Sequence, residues 1–320
     1  MLSSLLMCLF IVLMIIALSP GVTNVLGDSV ISVIPVGNFP QALLFNPSNN
    51  NIYVANRDSG TVSVIETVNN TLIKNVTVGS FPEQLLFNPS NNNIYVANVI
   101  SNSISVIDSI ANVVTNDIEV GMDPVELEFN PSNNQIYVAN EGSNTVSVID
   151  TVNNNTVIKE IEVGGSPISL EYNPSNNNLY VANRDSGTVS AIDTMNNVVA
   201  HNIEVEPTAV EFNPTNDDIY VTNRGSRTVS VIDGSNNTLL DTVGVGTEPV
   251  AMLFNPSNTD VYVGNVVSNS ISILNSENNT VTSTTDVNSL PLALEYNPSN
   301  KAVYVAGTLT GVDGVVSVIK

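Results

Sequence analysis

Four glutamates occupy one recurring position in this sequence, each directly before a Phe or Tyr: Glu128, Glu171, Glu211 and Glu295. Carboxylates held at one level repel one another, which raises some of their pKa values or recruits a cation. Because Ca²⁺ prefers oxygen ligands, it is the cation expected at such a site, and no other cofactor is predicted. The alternative is that these carboxylates are simply solvated.

All four arginines of the chain occur in short polar loops after an Asn that ends an apolar run. Arg is favoured at interfaces because its planar guanidinium binds carboxylates with two hydrogen bonds and stacks on rings. The loops therefore predict a binding surface for an acidic polymer or glycan, made by Arg57, Asp58, Arg184, Asp185, Arg224 and Arg227. The alternative is that each Arg pairs with a neighbouring Asp, such as Asp58 or Asp185.

Several kinds of chemistry are disfavoured by composition. His201 is the single histidine, Cys8 is the single cysteine, and Trp is absent. No disulfide, thiol nucleophile or His-Asp pair can form, so no catalytic residue is predicted and the protein is not expected to be an enzyme. The 8 basic and 30 acidic residues give a formal net charge of −22, which repels phosphate backbones and disfavours nucleic-acid binding.

Five Asn-x-Ser/Thr triplets are candidate glycosylation sites: Asn69, Asn75, Asn154, Asn236 and Asn278. Four of them fall in one kind of loop, and this concentration is more informative than any single triplet.

The elements that position these residues come from an internal repeat. An Asn-Pro pair recurs at Asn46, Asn88, Asn130, Asn173, Asn213, Asn255 and Asn297, at intervals of 42, 42, 43, 40, 42 and 42 residues. Each unit contains four short runs rich in Val, Ile and Tyr, separated by Asn, Pro and Gly turns, which is typical of antiparallel strands. Seven such units predict an all-β, seven-bladed β-propeller with four-stranded antiparallel blades.

The two ends of the chain are predicted to complete one blade. The last unit ends after its third strand, whereas Ser29 to Gly37 aligns with the fourth strand of the first unit, Thr71 to Gly79. The N-terminal strand is therefore expected to pair with the C-terminal blade and close the ring, so that the propeller covers residues 28–320. Closure removes exposed strand edges, which favour aggregation.

Residues 1–27 are predicted to be a signal peptide or an uncleaved anchor. Leu5 to Leu18 is an apolar run that is shorter than the about 20 residues of a membrane span. The protein is therefore expected to be secreted or at the cell surface, with membrane contact only through this segment if it stays uncleaved.

The repeat resembles the YVTN family of β-propeller repeats. Tyr220-Val-Thr-Asn223 carries that signature, and close variants stand at Tyr53, Tyr95, Tyr137, Tyr180, Tyr262 and Tyr304. Similar repeats occur in archaeal and bacterial cell-surface proteins, including surface-layer proteins, and in periplasmic propellers. The family says little about activity, because a fold does not fix a function. The leading hypothesis is a non-enzymatic structural, adhesive or binding module whose partner is a cell-surface protein or glycan. The alternative is a periplasmic-type, lactonase-like enzyme or a small-molecule binder at the central channel.

In a propeller, the loops between second and third strands share a face with the connections between blades. The arginine loops belong to this set, whereas four of the five triplets fall in loops between third and fourth strands. The partner is therefore expected to bind opposite the candidate glycans.

Overall fold

The computed structural model describes residues 33–287, 289–308 and 314–319, and nearly all of its regular structure is β-strand. Seven antiparallel sheets follow one another along the chain, six with four strands and the last with three, and within each sheet the strands are adjacent in chain order. This arrangement confirms the seven-bladed propeller predicted from the repeat. One 3-10 turn covers Arg57–Ser59.

Each blade takes its strands consecutively from the chain. Blades one and two contain β1 (Pro40–Asn46), β2 (Asn51–Asn56), β3 (Thr61–Glu66), β4 (Thr71–Thr77), β5 (Pro82–Asn88), β6 (Asn93–Asn98), β7 (Ser103–Asp108) and β8 (Val113–Glu119). Blades three and four contain β9 (Pro124–Asn130), β10 (Gln135–Asn140), β11 (Thr145–Asp150), β12 (Thr156–Glu162), β13 (Pro167–Asn173), β14 (Asn178–Asn183), β15 (Thr188–Asp193) and β16 (Val198–Glu204). Blades five and six contain β17 (Pro207–Phe212), β18 (Ile219–Asn223), β19 (Thr228–Asp233), β20 (Thr238–Gly244), β21 (Pro249–Asn255), β22 (Asp260–Asn265), β23 (Ser270–Asn275) and β24 (Thr280–Asp286). Blade seven contains β25 (Leu290–Asn297), β26 (Ala302–Thr308) and β27 (Gly314–Ile319).

Residues 29–32 of the predicted closing strand, and the whole of the predicted signal peptide, lie outside the described residues; residues 33–37 are described and form no regular strand. Blade seven shows the three strands predicted for the last unit. Pairing of the N-terminal strand with this blade stays a prediction. Within the described ranges, no helix is long and apolar enough to cross a bilayer.

The core lies between neighbouring blades. The second strand of blade three, for example, contains Tyr137, Val138 and Ala139, whose side chains are completely buried because neighbouring blades cover both faces of the strand. Six apolar clusters join each blade to the next, from blade one through blade seven. The fourth strands are outermost, and their side chains are mostly exposed.

A tyrosine–asparagine joint links successive blades. The Tyr137 hydroxyl donates a hydrogen bond to Asn197 Oδ1 in the next blade at 2.7 Å and accepts one from Asn133 in its own blade. Asn197 ends a loop with a left-handed backbone, φ 55°, which Asn tolerates better than most residues. The same joint recurs as Tyr53–Asn112, Tyr95–Asn155, Tyr180–Asn237 and Tyr220–Asn279. The signature Tyr therefore holds blades together.

The signature Asn has a different structural role. Asn56 Nδ2 donates to Ser63 Oγ at 2.9 Å, and this hydroxyl donates to Asn75 Oδ1 at 2.7 Å, which connects the second, third and fourth strands of blade one. Asn98 and Ser105 repeat the first bond in blade two. These buried amides satisfy polar groups inside the blade, so neither signature residue is placed as a ligand site.

A glycine after the fourth strand leaves room for the signature Asn of the following blade. A Cβ on Gly79 would lie 2.6 Å from Asn98 Cγ. Because the Asn98 amide is held by Ser105, it cannot move aside without losing a buried hydrogen bond. We expect Gly79→Ala to lower the free energy of unfolding by about 1–3 kcal/mol in urea titration.

The matched control for that prediction is Gly244→Ala. A Cβ on Gly244 would meet nothing within 4 Å, so a change of no more than about 0.5 kcal/mol is expected. Equal effects of the two substitutions would show that packing against Asn98 is not the cause.

Candidate functional site

The loops between second and third strands lie on the same face as the connections between blades, as predicted. Arg57 N donates to Phe39 O, and Val78 N donates to Gly60 O. The turns after the first strands lie instead beside the loops between third and fourth strands, as shown by the Asn49 Nδ2 to Ser109 O bond. We call the first surface the arginine face, because it carries all four arginines.

Arg57 is held mainly by groups of blades one and two. Its guanidinium lies 5.4 Å from the Phe39 ring centroid and 4.8 Å from that of Phe81, and its Nε is 4.0 Å from Glu83 Oε1. Burial raises the pKa of Glu83, and the charge of Arg57 offsets this only in part. Among the described residues, Arg57 therefore pairs with Glu83 rather than with the adjacent Asp58.

Arg184 forms the most extensive ion-pair network on this face. Its Nη2 donates to Glu141 Oε1 at 2.6 Å and to Ser166 Oγ at 2.9 Å, and its Nε donates to Asp185 at 3.3 Å. Glu141 comes from blade three and Arg184 from blade four, so this ion pair also joins two blades.

Two arginines lie in the corresponding loop of blade five. Arg224 donates from Nε and Nη2 to one Glu248 oxygen, at 3.1 and 2.6 Å. Arg227 is exposed and forms no ion pair with the described residues. It has a left-handed backbone, φ 61°.

A cleft of about 670 Å³ opens on the arginine face between the loops of blades four and five. Of the predicted binding residues, Arg184, Asp185, Arg224 and Arg227 line it, whereas Arg57 and Asp58 belong to blade one and do not. The rest of its wall comes from Ser186, Gly187, Glu206, Pro207, Thr208, Gly225, Thr247 and Glu248. Four of the six residues predicted for a binding surface thus line one cleft, and their binding of a partner stays a prediction.

The glutamates that pair with these arginines were missed. Glu141 and Glu248 lie 43 and 24 residues from their partners. For Glu141 the available signal was the unit length, because residues about one repeat apart occupy neighbouring blades. Glu248 lies instead in the connection between blades five and six. The alternative of pairing with the adjacent Asp describes Arg184 in part and does not describe Arg224.

The recurring glutamates lie on the innermost strands. Three of them, Glu128, Glu171 and Glu211, accept a hydrogen bond from the next blade. Glu211 Oε1 accepts a hydrogen bond from Phe254 N at 2.8 Å. Glu128 and Glu171 accept the corresponding backbone N–H of Tyr172 and Phe212. These carboxylates therefore satisfy donors on the inner edge of the neighbouring sheet. Glu126, two residues before Glu128, accepts from Gln84 Nε2 at 2.9 Å.

The channel environment shifts these acids strongly. Burial raises the pKa of Glu126 to about 7 and that of Glu211 to about 7. Burial, together with the nearby charge of Glu126, raises the pKa of Glu128 to about 8. The pKa of Glu171 is also well above its usual range, first because of burial and second because of Glu211 and Glu128. Repulsion between carboxylates, the cause expected from the sequence, is thus the smaller of the two.

Glu295 differs from the other three members of the predicted set, because its side chain is exposed. Within the described ranges, no three acidic, His or Cys side chains are grouped so that they could hold one metal ion. Calcium binding by these glutamates stays a prediction. His201 lies exposed on the outermost strand β16, away from the channel.

The candidate glycosylation sites lie where the loops predicted them. Asn69, Asn154, Asn236 and Asn278 are exposed in loops between third and fourth strands, on the face opposite the arginines. Asn75 lies on β4 itself, and its Oδ1 accepts a hydrogen bond from Ser63. Whether these residues carry glycans stays a prediction.

Solved structures with the same architecture share little sequence with this chain. Hydrazine synthase from Kuenenia stuttgartiensis matches with a TM-score of 0.69 at 18% identity, covering 92% of this chain and 99% of that one. The dihydro-heme d1 dehydrogenase NirN, in complex with DHE, matches with a TM-score of 0.75 at 14% identity. That match covers 88% of this chain and 64% of NirN. At these identities the likeness concerns the fold alone.

Comparison with curated proteins finds no match. A family model does match, over residues 17–239, which is more than half of the chain and covers four complete sheets with most of a fifth. On that match, and on the propeller seen in the structure, the chain belongs to the YNCE-like β-propeller family.

Proposed function

We propose that this protein is a non-enzymatic binding module outside the cytoplasm, which docks an acidic cell-surface glycan on its arginine face. The observation that carries the proposal is the cleft of about 670 Å³, into which the loops of blades four and five bring three of the four arginines. The cleft is open to solvent and is lined almost entirely by polar and charged side chains, which favours a polar ligand.

The distribution of positive charge supports a docking surface. On a chain of net charge −22, the arginines are gathered on one face. In the cleft three of them balance the carboxylates of Asp185, Glu206 and Glu248, so this face repels an anionic ligand less than the rest of the protein does. The candidate glycan acceptors Asn69, Asn154, Asn236 and Asn278 lie on the other face. The arginine face would therefore stay open to a partner.

Two sequence features that predict export support the proposed location outside the cytoplasm. The apolar run from Leu5 to Leu18 and the YVTN-like signature both favour a secreted or cell-surface protein of the surface-layer type. Nucleic acid is not proposed as a partner because of the net charge.

Binding to isolated cell envelope tests this function. We expect replacement of Arg57, Arg184, Arg224 and Arg227 by Ser to reduce envelope binding at least tenfold, measured by co-sedimentation. The control replaces Lys74, Lys159 and Lys301 by Ser. These lysines lie on outermost strands or on the opposite face, so their loss changes net charge without changing the arginine face.

Two results would contradict the proposal. Retention of parental binding by the arginine variant would exclude this face, and equal losses in both variants would indicate a dependence on net charge alone. Circular dichroism of each variant establishes that the fold is kept.

A second candidate function is a small-molecule binder or lactonase-like enzyme at the central channel. The observation in its favour is the set of channel glutamates with a raised pKa, because titratable groups shifted toward neutrality cluster at functional sites. The names of the two similar structures are those of enzymes. We rank it second because these carboxylates already bond to neighbouring strands.

A further inference from the structure

The cleft on the arginine face lies where the connection between two blades is unusually short. In most blades, three residues separate the last Val after the fourth strand from the Pro that begins the next blade, as in Gly79-Ser80-Phe81. Between blades four and five, Glu206 alone separates Val205 from Pro207. This shortened connection accounts for the repeat interval of 40 residues. It removes two residues from the rim at the point where the cleft opens.

A hydrogen bond at the short connection replaces the glycine packing that the longer connections make. In five described blades a Gly of the longer connection packs on the signature Asn, and the Oδ1 atoms of Asn56, Asn98, Asn140, Asn183 and Asn265 accept no hydrogen bond from described protein atoms. In blade five this Gly is missing, and Glu206 N donates directly to Asn223 Oδ1 at 3.3 Å. The short connection that opens the cleft is therefore stabilised by its own hydrogen bond to blade five.

Arg227 stands at a position that its sister blades fill differently. The equivalent left-handed position holds Gly60, Asn102, Asn144, Gly187 and Asn269 in the other described loops. Arg with a positive φ is strained relative to Gly or Asn. In this structure no ion pair of the described residues compensates for that strain, and the side chain lines the cleft.

The polar groups of the cleft define a ligand chemistry. Arg227 offers a guanidinium that has no ion-pair partner among the described residues, while the Glu206 carboxylate accepts no hydrogen bond from described side chains and lies over Gly225. Thr208 and Thr247 add hydroxyls. Apart from Pro207, the described lining contains no aromatic or apolar side chain larger than the methylenes of these polar residues, so the ligand must be polar.

We propose that this cleft binds one uronic acid unit of an acidic polysaccharide, with Arg227 on the sugar carboxylate and Glu206 on its hydroxyls. Arg is suited to the carboxylate because its planar fork matches the two oxygens. Glu206 accepts hydrogen bonds from sugar hydroxyls, so the ligand needs hydroxyl groups beside its carboxylate. The inference rests on the proposed function and names the ligand class of the same face.

Calorimetry with trigalacturonate on the full chain tests the site, with maltotriose as the neutral probe. We expect trigalacturonate to bind and maltotriose to bind at least tenfold more weakly. Arg227→Gly should weaken trigalacturonate binding at least tenfold. The same substitution should raise the melting temperature by about 1–2 °C, because Gly fits the left-handed backbone.

Two further variants distinguish the effect of the cleft's shape from the effect of Arg227 itself. Insertion of Gly-Ser between Val205 and Glu206 restores the connection length of the other blades, and it should abolish binding while the fold is kept. Asn269→Gly changes the equivalent loop position of blade six and should leave binding unchanged.

The outcomes distinguish this inference from the proposed function. Binding of trigalacturonate by Arg227→Gly or by the insertion variant within twofold of the parent overturns the cleft site. If the parent binds envelope through its arginines but does not bind trigalacturonate, the uronic acid assignment is wrong and the proposed function stands. If the parent binds neither, both are wrong.

Discussion

Replacement of Glu128 by Gln should stabilise the folded protein at pH 8 by about 1–3 kcal/mol. Its pKa rises from 4.5 to about 8 on folding, which corresponds to at most about 5 kcal/mol, and solvent that reaches the half-buried side chain reduces this value. The upper part of that range applies if little water reaches the carboxyl group. The amide oxygen of Gln can still accept the hydrogen bond from Tyr172 N, so the substitution removes the charge and keeps the contact.

The pH dependence follows from the direction of these shifts. An acid whose pKa is higher in the folded state binds more protons there than in the unfolded chain. Stability should therefore fall as the pH rises from about 5 to about 8, the window set by Glu126, Glu128 and Glu211. Glu128→Gln should flatten this slope, as measured by urea unfolding at several pH values.

The control is Glu295→Gln, which removes a carboxylate from the same repeat position where the side chain is exposed. It should change the slope little. A parent protein that is more stable at pH 8 than at pH 5 would contradict the expected dependence. The same titration in millimolar Ca²⁺ tests the predicted calcium site, because an ion bound by charged carboxylates would raise stability at pH 8.

Removal of the Tyr137 side chain should strongly lower the free energy of unfolding. Tyr137 is completely buried, and Tyr137→Ala is expected to cost about 3–5 kcal/mol through the cavity that it leaves. Tyr137→Phe keeps the ring and removes the hydroxyl that bonds Asn197, which should cost about 1–2 kcal/mol. Burial raises the pKa of Tyr137 to about 12, so this hydroxyl stays a donor throughout the titration.

Tyr304→Phe provides the comparison for the hydroxyl. Tyr304 has the same repeat position in blade seven, is only half-buried, and within the described ranges its hydroxyl bonds only Asn300 of its own blade. Its substitution should cost no more than about 0.5 kcal/mol in guanidinium unfolding. Equal costs at both positions would show that the bond to the next blade contributes nothing.

The propeller could be predicted from sequence because the same local pattern of short strands and turns recurs seven times in the chain. Turn residues such as the Asn-Pro pairs fix strand ends, and chain direction then assigns each loop to one of two faces. The arginine loops and the candidate glycosylation sites were placed on opposite faces from this pattern alone, and the structure agrees.

The partners of individual side chains were harder to predict. Arg184 reaches Glu141 and Arg224 reaches Glu248 across blade boundaries, and such contacts depend on how neighbouring sheets are offset. The environment of Glu128, whose side chain is half-buried, also depends on the neighbouring blade that supplies Tyr172 N. Local sequence suggested the adjacent Asp as the ion-pair partner of each Arg, and repulsion between carboxylates as the main cause of their raised pKa values. Packing between neighbouring blades instead provides more distant partners and makes burial the larger cause.

The joint between blades also bears on how such a chain can change length. Blades two to five each carry both halves of the joint: a Tyr that reaches forward, as Tyr95 does to Asn155, and a loop Asn that receives the preceding Tyr, as Asn112 receives Tyr53. A duplicated repeat would therefore meet compatible neighbours on both sides without any new substitution. Gene duplication within such an array can add or remove whole blades while every internal contact keeps its chemistry, and the geometry of ring closure then limits how many are retained.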